Sequence, residues 1–347
     1  MSVAQVSAIE NLIKKAESVL VVISRPVDPD CIGTGLAVHW WLEQQGKRSQ
    51  VVSFSPIPET MQRFPDSQRI CCEQSKKFPF DHWQAIMLID GSSWIQFFGK
   101  HWHEVLSRLD PAVLSNIDHH EPDDICAAIP DRCLNQRTSS TAQLFYEAFL
   151  SQFSIQPPAF VVNYLYRALL YDTRNFRNEP HEGMYRFAEE LMRLGADHEQ
   201  AVEVMYDPRE FEFLVWALGK TQYYPEIATT LLQITAADAR HFEQRLGREW
   251  MELDSIYKEV FLRNVAGYDY GLILTDNQDG TVKLSWRTRS RGKKVSIAIC
   301  ARRAGFAAGG HYNAGGGLFQ GTLTEAKRKL IAALREEVNK QQSLQSC

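Results

Sequence analysis

Apolar residues recur at helical spacing at Val6, Ile9, Leu12 and Ile13, which predicts an amphipathic helix over residues 4–17. Val19-Leu20-Val21-Val22-Ile23 then runs without a polar break, the pattern of a strand buried on both faces. A glycine-containing turn leads into a helix over 32–45, which Gly46 ends. Strands over 50–54, 85–89 and 112–117, with a helix near 94–109, continue the alternation. Alternating β and α elements indicate an α/β fold with a parallel sheet covered by helices, whose ligands lie at the strands' carboxyl ends.

From Ser139 the pattern turns helical, over 139–153, 158–171 and 181–194, with further helices to about residue 223. A second block begins near Leu231. It carries helices over 236–246 and 251–262, and strands over 270–274 and 281–286 joined by the turn Asn277-Gln278-Asp279-Gly280. A basic segment, a short helix to Arg303, a glycine-rich stretch and a closing helix over 324–339 complete the chain. The division expected is 1–186, a helical connector over 187–227, and a smaller α+β lobe over 228–343.

The chain has 347 residues, enough for two domains, and 44% hydrophobic with 23% charged residues suits a globular protein. Lys+Arg 38 against Asp+Glu 42 leaves a net charge of -4, so no global basic field gathers duplex DNA. A short anionic ligand in a local basic pocket fits better. Met1-Ser2-Val3-Ala4-Gln5 does not open a signal peptide, and no apolar run approaches the ~20 residues of a membrane span. The seven cysteines are odd in number, and the adjacent Cys71-Cys72 are poor partners for each other. Free thiols in a reducing cytoplasm are therefore expected.

Four acidic sites follow or close apolar stretches. Asp28-Pro29-Asp30 follows the first strand, although Asp-x-Asp is also a common helix cap. Asp90 ends Met87-Leu88-Ile89; there too a capping role is the plain alternative. Asp118-His119-His120 closes 112–117, and delivering a carboxylate and two imidazoles from a buried strand is costly without a metal or a partner. Asp172 ends the apolar run Ala168-Leu169-Leu170-Tyr171, with Thr173 placed to orient it. Carboxylates with one imidazole favour manganese, with magnesium or cobalt as alternatives. In the second block, Arg287 lies in an alternating cationic strand end, and Gly309-Gly310-His311 in a stretch that lets phosphate approach backbone N–H groups. A solvated hairpin edge and a simple turn are the competing explanations.

The ordered set Asp28/Asp30, Asp90, Asp118-His119-His120, Asp172 and Gly309-Gly310-His311 resembles the DHH/DHHA1 phosphoesterase family over nearly the whole chain. In size and layout it is similar to the bacterial nanoRNase/pAp-phosphatase subgroup. The resemblance implies a parallel-sheet DHH lobe with two manganese ions, a DHHA1 lobe, and a cleft between them. Asp28 and Asp90 would hold one ion, and Asp30, Asp90, His119 and Asp172 the other. His120 would face the scissile phosphate and Asp118 would support the imidazoles. Arg287, His311 and the Gly309-Gly310 backbone would bind the far end of the nucleotide.

Three positions depart from the family's pattern: Ser24 stands where it has histidine, Val27 where it has proline, and Ala308 where it often has glycine. Serine is a poorer ligand than imidazole, so a weaker first metal is expected. The implied activity is hydrolysis of short single-stranded RNA, dinucleotides or pAp in the cytoplasm, with a homodimer as one assembly open to it. The alternatives are a nucleotide sensor lacking a full first metal site and a pyrophosphate or polyphosphate hydrolase.

Overall fold

β1 (Ser18–Ile23) is buried along its whole length, as its uninterrupted apolar run requires, and lies inside a six-stranded sheet. The computed structural model describes residues 2–59, 61–178, 180–202, 208–246, 257–258, 261–262, 264–289, 295–311 and 314–345. The other strands are β2 (Arg48–Ser53), β3 (Ile70–Cys72), β4 (Ala85–Ile89), β5 (Leu114–Asp118) and β6 (Cys133–Asn135). Their order is β3-β2-β1-β4-β5-β6, and every neighbouring pair is parallel. The order reverses between β1 and β4, and the carboxyl ends beside such a switch point are where an open parallel sheet leaves a crevice.

Helices cover both faces. They are α1 (Val3–Lys15), α2 (Pro29–Gln44), α3 (Trp94–Phe98), α4 (Trp102–Leu106), α5 (Asp124–Ala128), α6 (Thr141–Phe145), α7 (Ala159–Asp172) and α8 (Glu182–Arg193). The period-2 alternation of β1 divides it between two cores. Val19, Val21 and Ile23 pack with α1, α2, α6, α7 and α8, whereas Leu20 and Val22 pack with α3, α4 and α5. Across the first core, α2 and α7 approach so closely that a Cβ on Gly33 would lie 2.4 Å from the Tyr164 carbonyl oxygen. That contact matters for function, because α2 carries Asp28 at its cap and Asp30 in its first turn, and α7 ends on Asp172.

The chain divides into units Met1–Val204 and Met205–Cys347. The segment anticipated as a connector contributes to both: Phe187 and Leu191 of α8 enter the first core, and Phe213 and Ala217 of helix Pro208–Lys220 enter a core of the second unit. The second unit has its own sheet of β7 (Gln222–Tyr224), β8 (Thr229–Ile234), β9 (Tyr270–Asp276), β10 (Thr281–Thr288), β11 (Ala307–His311) and β12 (Ala314–Gln320). Its order is β11-β12-β10-β9-β8-β7, with only β8 and β9 parallel among the described pairs. Helices Ile297–Arg303 and Leu323–Gln345 pack on one face through Cys300, Ala301, Leu330 and Leu334.

Several expectations needed correction. The helix over 94–109 is two short helices, because Gly99 at φ 70 leaves the helical region between them. Strand β5 starts later than expected, since Asp110 caps a single turn at Pro111–Val113. The glycine-rich stretch is a strand pair rather than a loop; a Cβ on Gly315 would lie 2.1 Å from the Trp286 ring, so the missing side chain is what lets β12 pass there. Most of the helix expected over 251–262 lies outside the described residues. Cys126 and Cys133 are joined in a disulfide rather than left as thiols, their Cα atoms 5.2 Å apart on α5 and β6, a separation such a bridge spans. Among the described residues Cys31, Cys71, Cys72 and Cys300 are free thiols, and no helix is long and apolar enough to cross a membrane.

Candidate metal centre

The acidic side chains reach the switch-point crevice from the ends of four elements: α2, β4, β5 and α7. Asp28 caps α2, its Oδ1 accepting from the backbone N–H groups of Asp30 at 3.0 Å and Cys31 at 3.1 Å. Asp30 is fully buried and takes three hydrogen bonds, from Thr141 N–H at 2.7 Å, Ala142 N–H at 3.1 Å and the Thr34 hydroxyl at 3.1 Å. Asp90 follows β4 in the left-handed region at φ 68, held by its N–H to the Ile117 carbonyl at 2.9 Å. An aspartate tolerates that conformation, and it turns the carboxylate off the strand's axis. The Thr141 hydroxyl donates to Asp90 Oδ1 at 2.7 Å.

The imidazoles meet these carboxylates from β5. His119 Nε2 lies 3.1 Å from Asp172 Oδ2, 3.8 Å from Asp90 Oδ1 and 3.9 Å from Asp30 Oδ2. His119 Nδ1 is 3.2 Å from the Thr138 carbonyl, which as an acceptor fixes a proton on that nitrogen and turns Nε2 toward the carboxylates. His120 Nδ1 is 2.7 Å from Asp118 Oδ1, and Asn135 Nδ2 donates to both Asp118 Oδ2 and the His120 carbonyl. His120 is 45% exposed along its side chain while Asp118 is fully buried, so one imidazole faces outward from an anchored base.

Electrostatics alone would not hold this cluster together. Burial, then Asp30, pushes the Asp28 carboxyl up to about 6. Burial and the neighbouring carboxylates, Asp30 first, raise Asp90 and Asp172 well above the ordinary carboxylate range. Burial works against charge on His119, yet Asp172 and Asp30 outweigh it and bring the imidazole up to about 10. Protons here neutralise a surplus of buried negative charge, a role a divalent cation performs better while inverting these shifts.

The donor set fits such a cation. His119 Nε2 and Asp172 Oδ2 are both buried without a hydrogen-bond partner although 3.1 Å apart, because their alignment is wrong for a hydrogen bond. Two unpartnered buried polar atoms converging on one point are what an ion between them, displacing the imidazole proton, would satisfy. Three triplets place one ligand atom per residue within 4.8 Å of one another: Asp30, His119 and Asp172; Asp90, His119 and His120; and Asp28, Cys31 and Asp90. Asp90 belongs to two of them.

This chain shares its fold with a solved structure. An exopolyphosphatase-related protein from Bacteroides fragilis superposes with a TM-score of 0.79 at 20% sequence identity, covering 98% of each chain. A pGpG-specific phosphodiesterase from Vibrio cholerae matches at a TM-score of 0.44 and 12% identity over 93% of this chain and 99% of its own, too distant to support an argument. No family model matches the chain. The likeness to the Bacteroides protein establishes the architecture of both units, and the chemistry of the centre has to be argued from its own side chains.

In the second unit, Arg287 on β10 and His311 on β11 both pair in register with Ala314 of β12, so they occupy one row of the sheet. Gly309 and Gly310 precede His311 on β11 and pair with Gly316 and Gly315. The side chain of His311 and residues 290–294 of the basic segment lie outside the described set. Thr173 does not take the role expected of it: its hydroxyl donates to the Leu169 carbonyl at 2.6 Å and accepts from Phe176 N–H at 3.2 Å, fastening the end of α7 instead of Asp172.

Thr141, Thr138, Asn135 and Cys31 were not singled out in the sequence. The hydroxyl-rich run Thr138-Ser139-Ser140-Thr141 was the available signal for the first two. It forms the start of α6 and supplies a carbonyl to His119, two N–H groups to Asp30 with Ala142, and a hydroxyl to Asp90.

Proposed function

We propose that the chain is a divalent-metal-dependent phosphoesterase of the DHH type, acting on short oligoribonucleotides, linear dinucleotides or pAp, with Mn2+ as the leading ion. The observation that carries the reading is the convergence of Asp30, Asp90, His119 and Asp172 from α2, β4, β5 and α7, with His119 Nε2 and Asp172 Oδ2 left unsatisfied. Such a site supports hydrolysis of a phosphoester, whose developing charge needs cations and whose attacking water needs activation.

Asp30, Asp90, His119 and Asp172 would hold one ion, and Asp28 with Asp90 a second. Bound there, the ions supply Lewis acidity to the phosphoryl oxygens and lower the pKa of the attacking water. The protein's own part is orientation and proton handling. Thr141 and Ala142 keep the Asp30 carboxylate fixed, and Thr141 aligns Asp90. Asp118 holds His120 through Nδ1, which leaves the other ring nitrogen to exchange a proton with the departing oxygen. In the second unit, Arg287 and the Gly309-Gly310 backbone are donors of the kind that bind phosphate or sugar.

A second reading is favoured by the likeness to the Bacteroides exopolyphosphatase-related protein: a hydrolase of phosphoanhydrides. Release of nucleoside monophosphate from a labelled diribonucleotide, against release of phosphate from pAp and from pyrophosphate, all with Mn2+, tests both. Cleavage of the diribonucleotide or pAp is expected. Turnover of pyrophosphate alone transfers the case to the second reading, and tight nucleotide binding without turnover of any substrate leaves a sensor.

A further inference from the structure

We propose that Cys31 is a thiolate ligand of the first metal site, completing with Asp28 and Asp90 a mixed sulfur–oxygen set that prefers a thiophilic ion such as Zn2+ or Co2+ over Mg2+. The inference deepens the metal-dependent reading and rests on it. Cys31 Sγ and one carboxylate oxygen each of Asp28 and Asp90 lie within 4.8 Å of one another. An ion at about 2.3 Å from sulfur and about 2.0–2.2 Å from oxygen fits among them with small side-chain rotations. Asp90 is shared with the Asp90, His119 and His120 triplet, and the orphaned His119 Nε2 and Asp172 Oδ2 independently mark the adjoining position as a place for a cation.

Burial, then Asp28 and Asp90, hold the Cys31 thiol well above its ordinary range, so the thiolate depends on the cation that would neutralise those carboxylates. Asp28 N–H donates to Cys31 Sγ at 3.3 Å, and the residue sits in the first turn of α2, where the helix dipole favours negative charge. Sγ also lies 3.8 Å from the Ser24 carbonyl and 3.3 Å from that of Asp28, contacts that a neutral thiol makes as donor. On coordination the Sγ–H proton passes to solvent as the sulfur–metal bond forms, and the Asp28 N–H contact is kept. Ser24 itself is buried and brings only a hydroxyl to this end of the crevice. A soft donor beside two carboxylates shifts the selectivity of this one position from Mg2+ toward Zn2+ and Co2+.

Cobalt reports the bond directly. Chelated full-length protein titrated with Co2+ is expected to develop visible ligand-field bands and, in addition, an intense near-ultraviolet band from sulfur-to-cobalt charge transfer. Cys31→Ser removes the near-ultraviolet band, keeps the visible bands of the ion held by Asp30, His119 and Asp172, and reduces bound Zn2+ from two ions to one. Asp28→Asn, which retains a side-chain oxygen for the helix cap, weakens the same band with the thiol still present. Two bound cobalt ions without the near-ultraviolet band, or a band unchanged in Cys31→Ser, overturns the assignment of Cys31 while sparing the metal-dependent reading. Wild-type protein that binds no cobalt overturns both.

Discussion

Thr141 donates its hydroxyl to Asp90 at 2.7 Å while its backbone N–H donates to Asp30, also at 2.7 Å, so one residue orients two carboxylates that reach the crevice from different elements. Replacing it with valine keeps the volume of a fully buried position and removes only the hydroxyl. Outer-shell losses of this kind cost about 10–100-fold in metal affinity. Thr141→Val is expected to show that loss by calorimetric Mn2+ titration, Thr141→Ser to regain most of it, and both to unfold near the wild-type temperature in chelator. Equal Mn2+ affinity in the valine variant would show that Asp90 needs no such partner.

The close crossing of α2 and α7 positions the centre as well as the core. Gly33→Ala places a methyl group 2.4 Å from the Tyr164 carbonyl oxygen and 3.1 Å from its carbon, backbone atoms that cannot turn aside. Overpacking of this type costs about 1–3 kcal/mol. The variant should lose that stability in urea unfolding and also bind Mn2+ more weakly, because moving the helices apart separates Asp30 from Asp172. Unchanged stability would mean the helices yield freely.

The His120–Asp118 pair is expected to serve chemistry and not metal binding. Asp118→Asn preserves shape but removes the charge that the 2.7 Å contact with His120 Nδ1 provides. Turnover should fall by about 10²-fold or more, in the range of general acid–base contributions, with metal stoichiometry intact. Loss of an ion in this variant would instead make Asp118 a ligand.

The protonation of the centre gives a pH dependence with a definite sign. Asp28 is raised from 3.8 to about 6 and His119 from 6.5 to about 10, and Asp90 and Asp172 move in the same direction as Asp28. In both windows the folded chain holds more protons than the unfolded one, so stability falls as pH rises through each. Chelated protein should therefore melt at a lower temperature at about pH 8 than at about pH 5, and added Mn2+ should raise the melting temperature more at the higher pH, where fewer protons compete with it. A melting temperature in chelator that climbs over that interval would contradict the buried-carboxylate account.

What was legible in the chain follows from how local each signal is. The unbroken run of β1 and the apolar residues ahead of Asp90, Asp118 and Asp172 announce their elements over a handful of consecutive positions, and the ligands ride on their ends. Asp30 and Thr141 meet across more than a hundred positions because α2 and α6 pack in one core, and no local pattern encodes that meeting. β3 and β6 have three residues each, too few to show a period. β11 and β12 are strands whose glycines carry no strand signal at all; their pairing is set by the neighbouring Trp286 and by register with β10. Cys31 carries no metal-site spacing in the sequence, since its thiol gains meaning only beside Asp90.

The most direct test of the account is anomalous diffraction from a crystal grown with Mn2+. The account predicts a strong anomalous peak bonded to His119 Nε2 and to Asp30, Asp90 and Asp172, with a second beside Asp28 and Asp90. A peak elsewhere on the protein, with Asp172 and His119 still facing each other unligated, would contradict it.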